Sequence, residues 1–98
     1  PRESALREIL NRLQSTNVSV IALIEGGKGE MLRLTLPDTF REMKIKEISL
    51  PVKAIIGVVS RGYRVVIPDG NTLLKPGDRL KIFTMQEDSE AIKQLFLK

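Results

Sequence analysis

The sequence predicts an α+β fold, a small mixed or antiparallel β-sheet of hairpins with flanking helices. Two observations carry this. Through the middle of the chain, apolar residues alternate with polar ones in short runs divided by glycine and proline turns, the period of half-buried strands. At both ends they recur three and four residues apart, the spacing of an amphipathic helix.

The first stripe is Ala5, Leu6, Ile9, Leu10 and Leu13, with Arg2, Glu3, Arg7, Glu8 and Arg12 opposite. It predicts a helix over 1–14, ended by Ser15-Thr16-Asn17. Residues 18–25 are mostly apolar and rich in β-branched side chains, which predicts a strand buried on both faces. The glycine-rich tip Gly26-Gly27-Lys28-Gly29 leads into a second strand, where Leu32, Leu34 and Leu36 alternate with Arg33 and Thr35. Pro37 closes that hairpin, since it has no N–H for a further ladder bond. Asp38 is placed to cap a short helix over 39–48, with Phe40, Met43, Ile45 and Ile48 as its apolar positions. Pro51 ends it. A second hairpin follows: a strand over 53–60, a turn at Arg61-Gly62, and a returning strand over 63–67. Tyr63, Val65 and Ile67 fall on one face of that strand. Pro68-Asp69-Gly70 fits a type I turn, and Lys75-Pro76-Gly77-Asp78 a type II turn with proline and glycine at its central positions. Leu80 and Ile82 mark a last strand. A closing helix from Glu87 carries Ala91, Ile92, Leu95 and Phe96 on one stripe, with Asp88 and Glu90 near its positive end.

Composition narrows the function classes. The 98 residues are 42% hydrophobic and 29% charged, a globular balance. They include no cysteine and no histidine, which excludes disulfides, thiolate zinc sites, cysteine nucleophiles and Ser-His-Asp triads. A small-substrate enzyme is therefore disfavoured. The longest apolar run, Val20 to Ile24, is too short to cross a bilayer. The chain opens on Pro1 directly into a helical pattern, which predicts a piece of a longer protein.

Several candidate sites read better as structure. The Gly26–Gly29 stretch lacks phosphate-loop spacing and runs into a strand rather than a helix, so it is a hairpin tip. Glu25, Glu30, Asp69 and Asp78 are the carboxylates nearest to an acid/base pair or cation site. Asp69 and Asp78 sit in turns, where aspartate bonds nearby backbone N–H groups. Residues 41–81 hold nine basic side chains against four acidic ones. That concentration of charge either attracts a phosphate-bearing ligand or forms a solvated face. Four aromatics and no recognised nucleic-acid motif argue against a nucleic-acid module.

From Leu50 to Phe83 the sequence becomes specific. Leu50-Pro51, the run from Ala54 to Gly62, the run from Val65 to Leu74 and Pro76-Gly77-Asp78-Arg79-Leu80 together resemble the TrkA-C domain, the C-terminal half of the RCK (regulator of potassium conductance) module. The resemblance covers roughly residues 17 to 97 and rests on turn and core residues, which specify a fold better than a ligand. It divides the chain into a connecting amphipathic helix, residues 1–16, and a TrkA-C regulatory domain, residues 17–98. The Rossmann lobe that full RCK regulators carry before this half has no counterpart here, since the Gly-rich nucleotide fingerprint is missing.

The resemblance implies a non-catalytic, cytoplasmic regulatory domain of a potassium or related cation transport system. Such a domain lies at the inner face of the cell membrane without inserting into it. It dimerises, binds a small effector and acts on a membrane potassium-transport subunit. Some family members bind cyclic di-AMP between paired lobes, so that nucleotide is the expected effector. Ile55, Ile56, Arg61, Arg64 and Pro68 are the expected ligand-binding residues. Arginine offers phosphate oxygens a planar fork of donors whose charge does not titrate away, and the apolar three supply a floor for a base. No catalytic or metal-ligating residue is expected. The alternative is a dimerisation and packing module with no ligand of its own.

Both readings predict self-association, because one small core cannot cover the first helical stripe, the Ile55-Ile56 strand and the Ile92-Leu95-Phe96 stripe together. Sedimentation at micromolar concentration is expected to show a dimer. A monomer alone would refute it.

Overall fold

Two strands of strict alternation, paired along their whole length, hold the middle of the molecule. The computed structural model describes residues 18–24, 26 and 28–97. The helix expected over 1–14, in the connecting segment 1–16, lies outside them. Among the described residues, strands β1 (Val18–Ile24), β2 (Gly29–Thr35), β3 (Met43–Lys44), β4 (Ile55–Arg61), β5 (Arg64–Val66), β6 (Leu73–Leu74) and β7 (Arg79–Met85) precede the helix α1 (Ser89–Leu97). Five strands form an antiparallel sheet in the order β1-β2-β7-β4-β5, and β3 with β6 forms a second, two-stranded sheet. The α+β class read from the sequence is the one observed.

The alternation in β2 and β7 puts Leu32 opposite Ile82 and Leu34 opposite Leu80, in a register that runs unbroken from Gly29 with Met85 to Thr35 with Arg79. All four leucine and isoleucine side chains are fully buried, whereas Arg33, Arg79 and Lys81 on the other face are exposed. Burying each such side chain contributes about 1.5–3 kcal/mol. Ile56 and Val59 of β4, Leu36, Ala54 and Leu74 join this core, and α1 closes it with Ile92 and Phe96. Helix α1 follows a 3-10 turn at Gln86–Asp88, and Asp88 and Glu90 stand near its positive end as the sequence predicts.

The register of β4 against β7 shifts between Ile56 and Val58, and so both Ile56 and Val59 reach the core although three residues apart. Gly57 sits at the shift. A Cβ there would come within 2.9 Å of Cε2 of the Phe83 ring, closer than carbon atoms approach, so any larger residue would have to push that ring aside.

Three expectations are corrected. The short helix over 39–48 does not form. Met43 pairs with Leu74 and Lys44 with Leu73, and a 3-10 turn at Ile45–Glu47 follows. Backbone N–H groups of Ile45 and Lys46 donate to the carbonyls of Thr72 at 3.1 Å and Gly70 at 2.9 Å. Partners distant in sequence thus replace the helical ones, while Phe40, Ile45 and Ile48 still pack on the core. Strand β1 is an edge strand rather than a buried one, and Val20 and Ile21 are 51% and 37% exposed. The turn expected at Pro68-Asp69-Gly70 forms instead over Asp69–Thr72, with Gly70 and Asn71 central: Thr72 N–H donates to the Asp69 carbonyl at 3.1 Å. The type II turn stands where expected, with the Asp78 N–H donating to the Lys75 carbonyl at 3.1 Å and Gly77 at φ +86°.

Phe96 is the side chain by which α1 holds the sheet. It is fully buried, and its ring centroid lies 6.3 Å from that of Phe40. Phe96→Ala is expected to destabilise the fold by about 3–5 kcal/mol, seen as a lower denaturant midpoint. A loss below about 1 kcal/mol would show that α1 does not close the core.

Candidate functional site

The β4–β5 hairpin turns over a two-residue loop, Gly62-Tyr63, with Gly62 at φ +58° and Arg61 paired with Arg64. The two arginines that flank the tight loop directly, one on each side, are thereby held next to one another. On one side of this hairpin runs the chain from Thr72 to Lys75, drawn in by the pairing of β6 with β3. Between them lies a groove of about 310 Å³ lined by Val59, Arg61, Arg64, Val66, Thr72, Leu73 and Lys75. It has an apolar floor, a hydroxyl and three cationic side chains.

Arg61 is held firmly. Its Nε donates to Oδ1 of Asp78 at 2.7 Å and its Nη2 to Oδ2 at 2.7 Å, a bidentate pair, while Nη2 also donates to the Leu73 carbonyl at 2.9 Å. The two partners differ in exposure: the Arg61 side chain is 45% exposed and that of Asp78 only 1%. Burial pushes the Asp78 carboxyl up. The Arg61 bond, the Lys75 backbone N–H donating at 2.9 Å, and the charges of Arg61 and Lys75 outweigh that and hold it below its ordinary value of 3.8. The bond to Asp78 raises Arg61 in turn, so the guanidinium stays charged. Asp78 is also a backbone hub, since its carbonyl accepts from Leu36 N–H at 2.8 Å. As the sequence predicts for aspartates in turns, Asp69 likewise accepts from a nearby backbone, the Asn71 N–H at 2.8 Å.

The structure brings Arg61 and Arg64 into one groove and leaves the other expected residues outside it. Ile56 lies in the core, Ile55 is 63% exposed on the opposite face of β4, and Pro68 follows β5 beyond the groove. Sequence reasoning missed Thr72, Leu73 and Lys75. The one available signal is a lysine directly before the Pro-Gly-Asp turn. Among the described residues no three acidic side chains cluster as a metal site would need, and no helix is long and apolar enough to cross a membrane.

Comparison with known proteins follows the same outline. The family model described as the TrkA-C domain matches residues 30–97. Trk system potassium uptake protein TrkA homolog 1 of Methanosarcina mazei is 28% identical over 98 residues, covering 98% of this chain and 22% of that protein. The TrkA homolog of Archaeoglobus fulgidus is 31% identical over 97 residues, with the same 98% and 22% covered. TrkA of Mycobacterium tuberculosis is 29% identical over 73 residues, 72% of this chain and 33% of that one. The chain thus spans about a fifth of the length of the archaeal relatives. A solved RCK domain with cda has the same fold at a TM-score of 0.60 and 21% identity, covering 67% of this chain and 96% of that chain.

Removing Arg61 leaves a carboxylate buried with one backbone N–H for company, whereas removing the Asp78 charge leaves an arginine that can turn to solvent. Arg61→Ala is therefore expected to cost about 3 kcal/mol and Asp78→Asn about half of that. The pH dependence follows from the lowered carboxyl. The pair's stabilisation is fully present above the ordinary value of 3.8 and is lost as pH falls from there through the lower folded value. Denaturant titrations between neutral and strongly acid pH check this: Asp78→Asn flattens the acid limb. Equal acid limbs in wild type and Asp78→Asn would refute it.

Proposed function

The chain belongs to the TrkA-C domain family, and from that premise we propose that it is the non-catalytic regulatory lobe of a Trk-type potassium uptake protein. The curated relatives are named as potassium uptake proteins, and the part they share with this chain is the lobe described above. In this reading the lobe works at the cytoplasmic side of a membrane potassium-transport subunit, which it reaches through the rest of its own protein. It pairs with a second copy, and an effector at the pair shifts the balance between two geometries that the transport pore senses.

One observation carries the ligand side of the proposal. The groove under the second hairpin joins Arg64, Lys75 and the edge of Arg61 to an apolar floor of Val59, Val66 and Leu73. Cationic side chains beside apolar surface suit a phosphate carrying a base, and cyclic di-AMP offers two of each about a two-fold axis. Arg61 shapes the groove, being committed to Asp78, so Arg64 and Lys75 are the groups that meet the phosphate. Ile55 and Pro68 enter from the pairing of lobes. Ile55, Tyr63, Val65 and Ile67 are 63%, 106%, 68% and 79% exposed in the single chain, and they form the apolar surface a second copy covers. That same surface favours the second reading, a pairing module with no ligand.

Calorimetric titration of cyclic di-AMP separates the two readings. Wild type is expected to bind, and Arg64→Ala and Lys75→Ala each to weaken binding about ten-fold or more, the worth of a charge-assisted bond. A paired wild type that takes up no nucleotide establishes the module without ligand. Binding that neither substitution alters would move the site away from this groove.

A further inference from the structure

At the end of β4 remote from the groove, β7 runs on without a neighbour. The β2–β7 ladder is anchored at both ends: Leu36 N–H donates to the Asp78 carbonyl at 2.8 Å, and Gln86 N–H to the Lys28 carbonyl at 2.8 Å. Hydrogen bonding alternates along an antiparallel ladder, so the even-numbered residues of β7 give their backbone groups to β2 and the odd-numbered ones turn the other way, toward β4. There Phe83 meets Ile55. Met85 meets no strand, because β4 begins at Ile55 and the chain before it turns aside, with Ala54 N–H donating to the Pro51 carbonyl at 2.9 Å. The Met85 carbonyl accepts from the Thr84 hydroxyl at 3.2 Å, whereas its N–H has no partner among the described residues.

A cavity of about 250 Å³ spans this strand end, from Lys28 on the β2 side to Lys53 on the side to which the Met85 N–H turns. Alternation places the side chains of Phe83 and Met85 on the outer face of the sheet, together with Arg33 and Lys81. Glu30 and Thr84, both buried, point to the core face, so the carboxylate nearest in sequence lies behind the sheet. The Phe83 ring is laid over Gly57 and stays 37% exposed, which makes it an apolar wall. Lys28 and Lys53 are exposed at the rim, and neither has an ion-pair partner among the described residues.

We propose that this strand end is a second ligand site, and that it takes a small monocarboxylate with a compact apolar body. One carboxylate oxygen accepts from the Met85 N–H, the two lysines supply the opposite charge, and the body lies on Phe83 and Met85. Each part sets a requirement. A cation is repelled by the lysines, a neutral analogue forgoes their attraction, and a bare anion leaves the apolar wall uncovered. The volume falls below that of pockets for drug-sized ligands and excludes a dinucleotide, which separates this site from the groove at the far end of β4.

The test is titration of the whole chain with 4-methylpentanoate as probe, followed by NMR shifts of the Met85 amide proton and the Phe83 ring. The controls are 4-methylpentanamide, which has the body without the charge, and acetate, which has the charge without the body. The probe is expected to saturate, to move the Met85 amide proton downfield as a hydrogen bond to a carboxylate does, and to bind about ten-fold or more tighter than either control. The double variant Lys28→Gln, Lys53→Gln, altered only at exposed positions, is expected to weaken the probe about ten-fold while circular dichroism shows an unchanged fold. Absence of saturation in wild type, a Met85 amide that does not move, controls that bind as well as the probe, or unchanged affinity in the lysine variant would overturn the proposal. None of these results bears on nucleotide binding in the groove.

Discussion

A carboxylate with almost no exposure in a four-residue turn has to be neutralised, and the pairing of Asp78 with Arg61 is how this chain does it. The consequences spread over three stretches of sequence. Arg61 is the last residue of β4, so the pair ties that strand to the turn entering β7, and its bond to the Leu73 carbonyl brings in β6. The backbone of the same turn is locked to the end of β2, where Leu36 and the turn exchange bonds through Asp78 and Gly77 at 2.8 and 2.9 Å. One ion pair and two backbone bonds thus set where the second hairpin stands over the rest. Such a pair contributes less to net stability than its short bonds imply, because both groups were well solvated in the unfolded chain. Its larger effect is on geometry. Apolar contacts alone would tolerate a hairpin rotated by a few degrees, whereas a bidentate fork would not.

That geometry decides the division of labour among the basic residues. Arg61, Arg64 and Lys75 line one groove, but the first is committed to an internal carboxylate, and a phosphate competing for it would have to displace two short bonds. Among the described residues, Arg64 is anchored through the backbone of a three-residue strand and Lys75 through the turn. The groove therefore has a rigid wall and two adaptable arms.

Much of this was legible in the sequence, for identifiable reasons. The β2 and β7 strands, the closing helix and the Lys75–Asp78 turn were read correctly because local chemistry and tertiary demand coincide there. The 39–48 segment misled because its apolar spacing suits a helix, while its backbone finds better partners in Gly70 and Thr72, which no local pattern announces. The run 18–25 looked like a central strand because apolarity reports burial without saying what does the burying, and in the single chain β1 lies at an edge. At the groove, Arg61 and Arg64 were found together because a tight hairpin fixes neighbours across its loop. Lys75 was not, since its approach depends on a two-residue pairing of β3 with β6 that is too short to leave a periodic trace. Glu30 was noticed only as a carboxylate, and its burial became visible when the alternation was laid on an actual sheet.

Strand β5 pairs through three residues only, and two positions after its last residue comes Pro68, which has no N–H to offer a further neighbour. A strand added along that side of the sheet would gain a ladder of three residues, too brief to hold it in register. Fibre-like growth from this edge is thereby blunted, even though apolar side chains crowd it. A second copy meeting this hairpin would have to do so by side chains, face against face, rather than by lengthening the sheet.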